Sequence, residues 1–354
     1  MRIVVVGAGA IGCLVGGRLA AAGQEVTLVT RAWLADTIAT SGLRLNISGE
    51  SLYVPEIAAV TTVKEAGFEF GPFDLVLFTM KSYDTAAGIR DLSEAVHQPL
   101  PVMSLQNGVG NEQLLSAAFG PAQVIAGVIT SPAEMPVPGV IRASSGAVGL
   151  AALDNEILAR SVVAAFRSAD FKARVYDDWR GLKWSKLLLN ILGNATSAIL
   201  DWPPEQVFGD PQLFYLELRA WHEALVVMQA QGIKMVSLPG YPLPWIVRLF
   251  RWLPPSALQP IVRRAIAGGR SGKMPSLHID LAKGKADSEV TVLNGAVVDA
   301  GRNLGIPTPV NEALTDTLIR IVMGRIERDA FRGRPDRLLK VVESKQSQGE
   351  RVHC

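Results

Sequence analysis

The amino-acid sequence predicts an α/β fold in which an N-terminal, mainly parallel sheet is followed by an all-helical C-terminal domain. Up to Tyr176, short runs of apolar and β-branched residues alternate with helical periods, and beyond Tyr176 only helical periods remain. Strands that alternate with helices build parallel sheets that are covered on both faces. We therefore expect a first domain at residues 1–177, a helical domain at residues 178–330 and a loosely ordered polar tail at residues 331–354.

The individual elements are predicted from the apolar periodicity of each segment. The predicted strands lie at residues 2–6, 25–29, 73–79, 101–105 and 123–129, with shorter ones near 139–150 and 172–176 that extend the same sheet. The predicted helices include residues 154–168, 179–200, 211–231, 276–302 and 309–328. An insert at residues 237–269 contains six prolines, which should divide it into short helical pieces at best.

The composition excludes several classes of protein. The chain has 354 residues, of which 49% are hydrophobic and 19% charged, and its net charge is +2, so nothing indicates a nucleic-acid partner. The two cysteines, Cys13 and Cys354, cannot form a disulfide framework or a metal cluster. We therefore expect no metal site and a reducing, cytoplasmic location. The sequence has no stretch of about 18 apolar residues and predicts no membrane span.

A glycine-rich turn follows the first predicted strand. The sequence Gly7-Ala-Gly9-Ala10-Ile11-Gly12 stands between that strand and a helical period, which is the context in which a GxGxxG motif binds dinucleotides. Gly7 would allow the tight turn, Gly9 would let the backbone approach a pyrophosphate, and Gly12 would let helix and strand pack closely. Ala10 and Ile11 open the helix, whose free N–H groups attract an anion. We predict a dinucleotide site; the alternative is a structural turn alone.

The end of the second predicted strand indicates which dinucleotide binds. An NAD site usually places Asp or Glu there to accept a hydrogen bond from the ribose 2′-hydroxyl, whereas this chain has Thr30-Arg31. A guanidinium can bind a 2′-phosphate through two hydrogen bonds. NADP is therefore the predicted cofactor, and a solvated surface arginine is the alternative.

A lysine and two asparagines interrupt an apolar run at intervals of four residues. On one continuous helix, Lys186, Asn190 and Asn194 would project from the same face. Burying such groups is unfavourable unless they find partners, and violations of local rules tend to fall at functional sites. This polar ladder therefore predicts a site. The alternative for Lys186 is a lysine whose stem lies along apolar surface.

Two further polar clusters follow predicted strands. They are Thr79-Met80-Lys81-Ser82 and Gln106-Asn107-Gly108. In open α/β sheets, ligands bind outside the carboxyl ends of the strands, so both clusters are expected beside the nicotinamide. A turn without function is the alternative for Asn107-Gly108.

Taken in order, these residues make the chain resemble the ketopantoate reductase family over about residues 1–328. The further matching signals are Pro275-Ser276-Leu277-His278-Ile279-Asp280, Glu289, Leu293-Asn294-Gly295 and Gly305-Ile306-Pro307-Thr308-Pro309. The resemblance implies a Rossmann-type N-terminal domain, an all-helical C-terminal domain and NADPH-dependent reduction of a 2-oxo acid to a 2-hydroxy acid. On this resemblance, the substrate expected for this chain is 2-dehydropantoate, whose reduction to pantoate belongs to pantothenate biosynthesis.

The resemblance also implies roles for individual residues. Lys186 would protonate the carbonyl oxygen as hydride arrives, and Glu289 would hold Lys186 or a substrate hydroxyl. Lys81 and Asn107 would contact the cofactor. The residues that would bind substrate are Asn107, Asn190, Asn194 and Ser276. For Glu289 the alternative is a solvated charge, and His278 is expected to be packed or hydrogen-bonded rather than catalytic.

The proline-rich insert is rich in aromatic and basic residues, among them Trp245, Trp252, Arg263 and Arg264. Helices that cap the site or form a homodimer interface are the favoured interpretation, because aromatic residues and Arg favour interfaces. Peripheral membrane contact is a less favoured alternative. The insert also suggests a second function, a related NADP-dependent dehydrogenase for a bulkier oxo acid. A third function is a non-catalytic NADP-sensing protein, although a sensor would need no proton donor such as Lys186.

Overall fold

The structure of the chain, a computed structural model, describes residues 1–70, 73–96, 98–270 and 273–352. Cys354 lies outside the described residues. The chain forms two compact units, an N-terminal unit of Met1–Lys183 with Leu238–Tyr241 and a C-terminal unit of Trp184–Ser237 with Pro242–Cys354. The division at residue 183 falls after the first turn of a helix that begins at Trp179, whereas the sequence places it at residue 177.

The N-terminal unit is an α/β structure, as the sequence predicts. Its elements are β1 (Arg2–Val6), α1 (Ala10–Ala21), β2 (Glu25–Val29), α2 (Ala32–Ser41), β3 (Leu43–Ile47), β4 (Glu50–Val54), β5 (Ala58–Val60), α3 (Val63–Phe70), β6 (Leu75–Phe78), α4 (Thr85–Ala95), β7 (Val102–Ser104), α5 (Asn111–Phe119), β8 (Val124–Ile129), β9 (Ala133–Val137), β10 (Val140–Ala143), β11 (Ala147–Ala152), α6 (Glu156–Ser168) and β12 (Lys172–Val175).

The main sheet has eight strands in the order β12-β11-β8-β7-β6-β1-β2-β5. All of its neighbouring pairs are parallel except β8 and β11. In the central strands, alternate residues enter two separate apolar clusters, with Ile3 and Val5 of β1 in one and Val4 and Val6 in the other. Both faces of the sheet are therefore buried at these strands, which explains why their sequences are continuous apolar runs.

A second sheet, in the order β4-β3-β10-β9, corrects the expectation that residues 139–150 extend the main sheet. Only β11 joins the main sheet, because Ser144-Ser145-Gly146 ends the strand that precedes it. Strand β10 pairs instead with β3, and its Val140 lies opposite Arg44. The main reason this sheet escaped prediction is that its strands expose many side chains and pair with distant segments.

The C-terminal unit is helical. Helix α7 (Trp179–Ile191) connects the two units, and it is followed by α8 (Asn194–Leu200), α9 (Pro204–Val207), α10 (Pro211–Ala230), α11 (Leu243–Trp252), α12 (Pro255–Arg270), α13 (Ser276–Ala282), α14 (Asn294–Asn303), α15 (Pro309–Val322) and α16 (Pro335–Val352). The insert thus forms two helices, of which α12 has 16 residues and contains Pro260, rather than short pieces.

Two further sequence predictions in this unit are wrong. The single helix expected at 276–302 is divided into α13, a 3₁₀ turn at Glu289–Val292 and α14. The tail is not loosely ordered, since α16 buries Leu338 and Val342. Lys345 of α16 also pairs with Glu312 and Asp316 of α15, at 3.0 and 2.8 Å. A helix of polar composition can thus pack against its unit through a few apolar residues on one face.

Candidate functional site

The glycine turn between β1 and α1 has the geometry of a dinucleotide cradle. Gly7 has φ of +78°, and a Cβ there would lie 2.4 Å from the Met80 Cβ. A Cβ on Gly12 would lie 2.5 Å from the Thr79 Oγ1 and 3.1 Å from the Val5 side chain. A Cβ on Gly9 would meet only the Gly7 carbonyl, at 4.0 Å, and otherwise faces open space. The first and third glycines are required by packing, while the second leaves room for a ligand.

The helix after this turn is prepared for an anion. Gly9 caps α1 without a side-chain hydrogen bond, and the first turn contains no acidic residue. The N–H groups of Ala10 and Ile11 have no acceptor within the helix, because the first turn of any helix leaves its donors unpaired. The turn itself is held by Thr30, whose Oγ1 donates to the Ala8 carbonyl at 2.9 Å. These residues fit the pyrophosphate of a dinucleotide.

Arg31 follows β2 and lies at the N-terminus of α2, where it is exposed. Within residues 1–70, 73–96, 98–270 and 273–352, no hydrogen bond or ion pair engages its guanidinium. Strand β2 is the direct neighbour of β1, so Arg31 and the glycine turn leave the sheet at the same edge. This placement fits a 2′-phosphate and equally the solvated arginine that the sequence left as the alternative.

The loops that contain Lys81 and Asn107 are joined by a buried polar network. They follow β6 and β7, which are neighbours in the sheet. The Gln106 side chain donates to the Met80 carbonyl at 3.1 Å, and the Ser82 Oγ donates to the Asn107 carbonyl at 2.9 Å. Asn111, at the start of α5, donates to that same carbonyl at 3.2 Å. The backbone around Asn107 is therefore fixed from several sides.

A buried ion pair contacts this network at the Gln106 carbonyl, and it was not predicted from the sequence. Lys183 of α7 is 2% exposed and lies 2.8 Å from the Glu112 carboxylate, which is fully buried. The Lys183 ammonium also donates to the carbonyls of Gln106, at 2.7 Å, and Gly127, at 3.4 Å. The signal was available, because Lys183 stands between Leu182 and Trp184 in the same apolar run as Lys186.

In the C-terminal unit, the polar ladder is not on one continuous helix. Gly193, with φ of +68°, separates α7 from α8, so Asn194 begins a new helix instead of continuing the face of Lys186 and Asn190. Glycine adopts the left-handed conformation more readily than other residues do, and a Cβ at this position would lie 2.7 Å from the Phe208 ring. The expectation of a single helical face is therefore wrong.

Glu217 of α10 holds this helix break, and sequence reasoning missed it as well. Its buried carboxylate accepts hydrogen bonds from the Gly193 N–H at 2.7 Å and the Thr196 hydroxyl at 2.5 Å. Burial raises the pKa of Glu217 to about 7, although both hydrogen bonds oppose the shift. The sequence signal was that Glu217 occupies an otherwise apolar helical position, with Leu213, Ala220 and Ala224 on the same face.

Asn194 brings two of the predicted substrate residues together. Its amide nitrogen donates to the Asn190 carbonyl at 3.1 Å and to the Ser276 hydroxyl at 3.4 Å. Its amide oxygen accepts from the Leu277 N–H at 3.1 Å, which caps the start of α13. Helices α7, α8 and α13 thus meet at one amide. Asn190, Asn194 and Ser276 are neighbours, as a shared site requires.

The remaining predicted residues of the C-terminal unit take different positions. Lys186 is half-buried on α7, and Glu289 is buried in the 3₁₀ turn, which excludes a solvated charge at Glu289. His278 of α13 contacts the Asp201 carboxylate at 2.5 Å, and Arg328 and Arg332 contact the same carboxylate at 3.0 and 2.6 Å. His278 is therefore hydrogen-bonded in a structural cluster, as expected.

Residues 1–70, 73–96, 98–270 and 273–352 also provide information about metal sites and membrane spans. Within those ranges, no group of three or more His, Cys, Asp or Glu side chains is arranged to hold a metal ion. None of the described helices is both long and apolar enough to cross a bilayer.

Comparison with known proteins identifies the family. The profile described as "Ketopantoate reductase PanE/ApbA" matches residues 3–155, and its C-terminal counterpart matches residues 178–321. The chain belongs to the ketopantoate reductase family. It is similar to the 2-dehydropantoate 2-reductase of Halobacterium salinarum, with 30% identity over 91% of this chain and 98% of that protein.

Solved structures agree with this assignment. A ketopantoate reductase of this family from Ralstonia eutropha superposes with a TM-score of 0.77 at 30% identity, covering 92% of this chain and 99% of the other. A D-mandelate dehydrogenase solved with NADH and anilino(oxo)acetate has a TM-score of 0.75 at 21% identity, covering 92% and 99%, and this likeness concerns the fold alone. Members of the ketopantoate reductase family are nicotinamide-dependent oxidoreductases that act on CH–OH groups, and this chain is such an enzyme.

Proposed function

We propose that this enzyme uses NADPH to reduce a 2-oxo acid to the 2-hydroxy acid, with 2-dehydropantoate as its substrate and pantoate as its product. The observation that most supports the proposal is the pair of hydrogen bonds from the Asn194 amide to the Asn190 carbonyl and the Ser276 hydroxyl. Asn190 follows Lys186 on α7, and Ser276 begins α13, the helix before the 3₁₀ turn that contains Glu289. A site for a hydroxylated oxo acid needs amide and hydroxyl groups of this kind beside a cation.

The cofactor would be held by the N-terminal unit. The glycine turn with Ala10 and Ile11 would receive the pyrophosphate, Arg31 the 2′-phosphate, and Lys81 and Asn107 the nicotinamide end. When bound, the reduced nicotinamide supplies the hydride. The network behind Asn107 would fix these contacts before the cofactor arrives, so that little ordering entropy is lost on binding.

The proton would come from Lys186. Hydride addition turns the carbonyl oxygen into an alkoxide, and a neighbouring ammonium both stabilises that charge and donates the proton. Glu289 is proposed to orient Lys186 or a substrate hydroxyl, and its burial suits a positioning role. Asn107, Asn190 and Ser276 would bind the substrate. Since the polar atoms of Asn194 are all hydrogen-bonded, we assign Asn194 to positioning Asn190 and Ser276.

The test is NADPH oxidation by the purified chain against a panel of 2-oxo acids that includes 2-dehydropantoate and bulkier aryl and branched analogues. We expect 2-dehydropantoate to have the highest kcat/KM. Lys186→Ala should lower kcat by at least about a hundredfold, because general acid catalysis supplies rate factors of that order, while NADPH binding is retained. Lys340→Ala, which removes an exposed lysine of α16 in the same unit, is the control.

Each outcome has a separate meaning. Preference for a bulkier oxo acid, with the same loss in Lys186→Ala, would replace the substrate and keep the mechanism. NADPH binding without turnover of any oxo acid would indicate the sensing protein instead. Unchanged turnover in Lys186→Ala would refute the proton donor.

A further inference from the structure

One face of helix α11 presents large apolar side chains to solvent. Trp245 is 68% exposed, Leu249 42% and Trp252 77%, and these positions follow one another along a single helical face. Arg248 is exposed beside them, and its guanidinium carbon lies 5.8 Å from the centre of the Trp245 ring. We call Trp245, Arg248, Leu249 and Trp252 the α11 stripe.

The opposite face of α11 fixes the helix to its unit. Leu243 and Val247 are buried, and the Phe250 ring lies 4.9 Å from the ring of Trp221 on α10. The helix is thus anchored by its own apolar face, and the stripe is not needed for that packing. Large apolar side chains that lie together on a protein surface mark interaction sites. The α11 stripe, with two exposed tryptophans, is such a patch.

The charge of the surrounding segment indicates what the stripe contacts. Between Glu223 and Asp280 the sequence contains no acidic residue and seven basic ones: Lys234, Arg248, Arg251, Arg263, Arg264, Arg270 and Lys273. The whole chain, by contrast, is nearly balanced at +2. Arg263 and Arg264 of α12 are exposed, as Arg248 is. The positive charge is therefore concentrated in the segment that contains the stripe.

We propose that α11 and α12 form a peripheral binding surface for bilayers that contain anionic lipids. Tryptophan rings are favoured at the boundary between head groups and acyl chains, and arginines pair with lipid phosphates. An amphipathic helix with aromatic and aliphatic residues beside basic ones binds in the plane of that boundary. A second copy of the chain is a poorer occupant, since a symmetric contact would place the same basic segment against itself.

The test is co-sedimentation of the full chain with vesicles of phosphatidylglycerol and phosphatidylcholine, with pure phosphatidylcholine vesicles in parallel. We expect binding to the anionic vesicles that weakens with added salt. The double variant W245A/W252A should lower the partition coefficient at least about tenfold, from the apolar area it removes. The double variant R248E/R263E should lower it by roughly fivefold or more for each arginine.

The matched control is Tyr215→Ala. Tyr215 is 54% exposed on α10 of the same unit, with the Arg219 guanidinium 5.8 Å from its ring centre, but it stands among the acidic residues Asp210, Glu217 and Glu223 of the sequence. This variant should bind vesicles like the parent chain. All replaced side chains are exposed, so unfolding midpoints should agree, and those midpoints establish that each variant is folded.

Three results would overturn the proposal. The first is no sedimentation of the parent chain with anionic vesicles. The second is an equal loss of binding in Tyr215→Ala and W245A/W252A, which would indicate unspecific adsorption. The third is a dimer, seen by sedimentation equilibrium, that W245A/W252A dissociates while vesicle binding is absent, in which case the stripe is a contact between copies.

Discussion

The ammonium of Lys183 and the carboxylate of Glu112 form an ion pair in the interior of the N-terminal unit, 2.8 Å apart. Such a pair stabilises a fold little compared with apolar residues, but removing one partner leaves the other charge buried. Its value here is positional. Lys183 donates to the carbonyl of Gln106, which is the residue before Asn107. The ion pair therefore fixes the backbone next to Asn107.

Lys183→Met should therefore lower the free energy of unfolding by about 3–5 kcal/mol, since Glu112 is left buried without its cation. The double variant K183M/E112L should recover most of that loss. Urea unfolding of the three proteins measures both effects, with Lys172→Met, at an exposed lysine of β12, as control. A loss below about 1 kcal/mol in the single variant would mean that the pair behaves like a surface ion pair.

Glu217 predicts a pH dependence of stability. Its pKa rises from 4.5 to about 7 in the folded chain, so folding favours the protonated form. The stabilisation is fully present below the pKa of the unfolded chain and is lost as pH rises through about 7. From about pH 5 to about pH 8 this group should lower the free energy of unfolding by about 3 kcal/mol.

Glu217→Gln should remove this decline, because an amide does not titrate. Its oxygen can still accept from the Gly193 N–H, and its nitrogen can donate to the Thr196 hydroxyl oxygen. Urea unfolding across that pH range measures it. Glu156→Gln, at an exposed carboxylate of α6, should leave the slope of the parent chain unchanged. An unaltered slope in Glu217→Gln would assign the pH dependence to other groups.

These residues also show how far sequence reasoning reaches at this scale. Lys186 and Asn190 were found because polar groups interrupt an apolar run, and the same criterion would have found Lys183 and Glu217. Their partners could not be found this way. The Glu112 pairing joins residues far apart in the chain, and only the folded backbone brings them together.

At the scale of the element, the break between α7 and α8 decides how the polar residues are arranged. Gly193 in the left-handed region ends one helix and starts the next, and Asn194 then turns toward Ser276 instead of lying above Asn190 on a continuous face. Periodicity predicted the helices but not the break, because isolated glycines also occur inside helices. The backbone at Gly193 is held by the Glu217 carboxylate, and periodicity carries no information about that long-range contact.

Gly193→Ala should destabilise the chain in two ways. The left-handed backbone costs a non-glycine residue about 1–2 kcal/mol, and the new methyl group would meet the Phe208 ring at 2.7 Å, adding about 1–3 kcal/mol. Gly232→Ala is the matched control, because Gly232 has the same φ of +68° and nothing within 4 Å of its Cβ.

The difference between the two variants in urea unfolding isolates the contact with Phe208. If the break also orders the substrate residues, Gly193→Ala should raise KM for the oxo acid while Gly232→Ala does not. Equal destabilisation in both variants would show that Phe208 does not contact the new methyl group. Equal KM values would show that the helix break does not order the substrate residues.

At the scale of the whole molecule, the apolar strands of the main sheet were predictable from the sequence, whereas the second sheet was not. Strands β1, β2, β6, β7 and β8 are buried on both faces, which gives the continuous apolar runs by which they were recognised. The second sheet was missed because its pairing of β10 with β3 is long-range. The family relationship covers both units, as residues 3–155 and 178–321 match its two profiles.

Cofactor binding should be visible as stability of the whole chain, because a ligand that binds only the folded protein shifts the unfolding equilibrium. At about 100 times its dissociation constant, NADPH should raise the free energy of unfolding by about 2.7 kcal/mol. NADH at the same concentration should raise it less, since it cannot engage Arg31. Arg31→Ala should remove this difference between the two cofactors, and Arg160→Ala, at an exposed arginine of α6, should preserve it.

Thermal unfolding with each cofactor makes the comparison without any turnover, so Lys186→Ala should show the full NADPH shift. If NADPH and NADH stabilise the parent chain equally, Arg31 does not read the 2′-phosphate and the cofactor preference must be assigned anew.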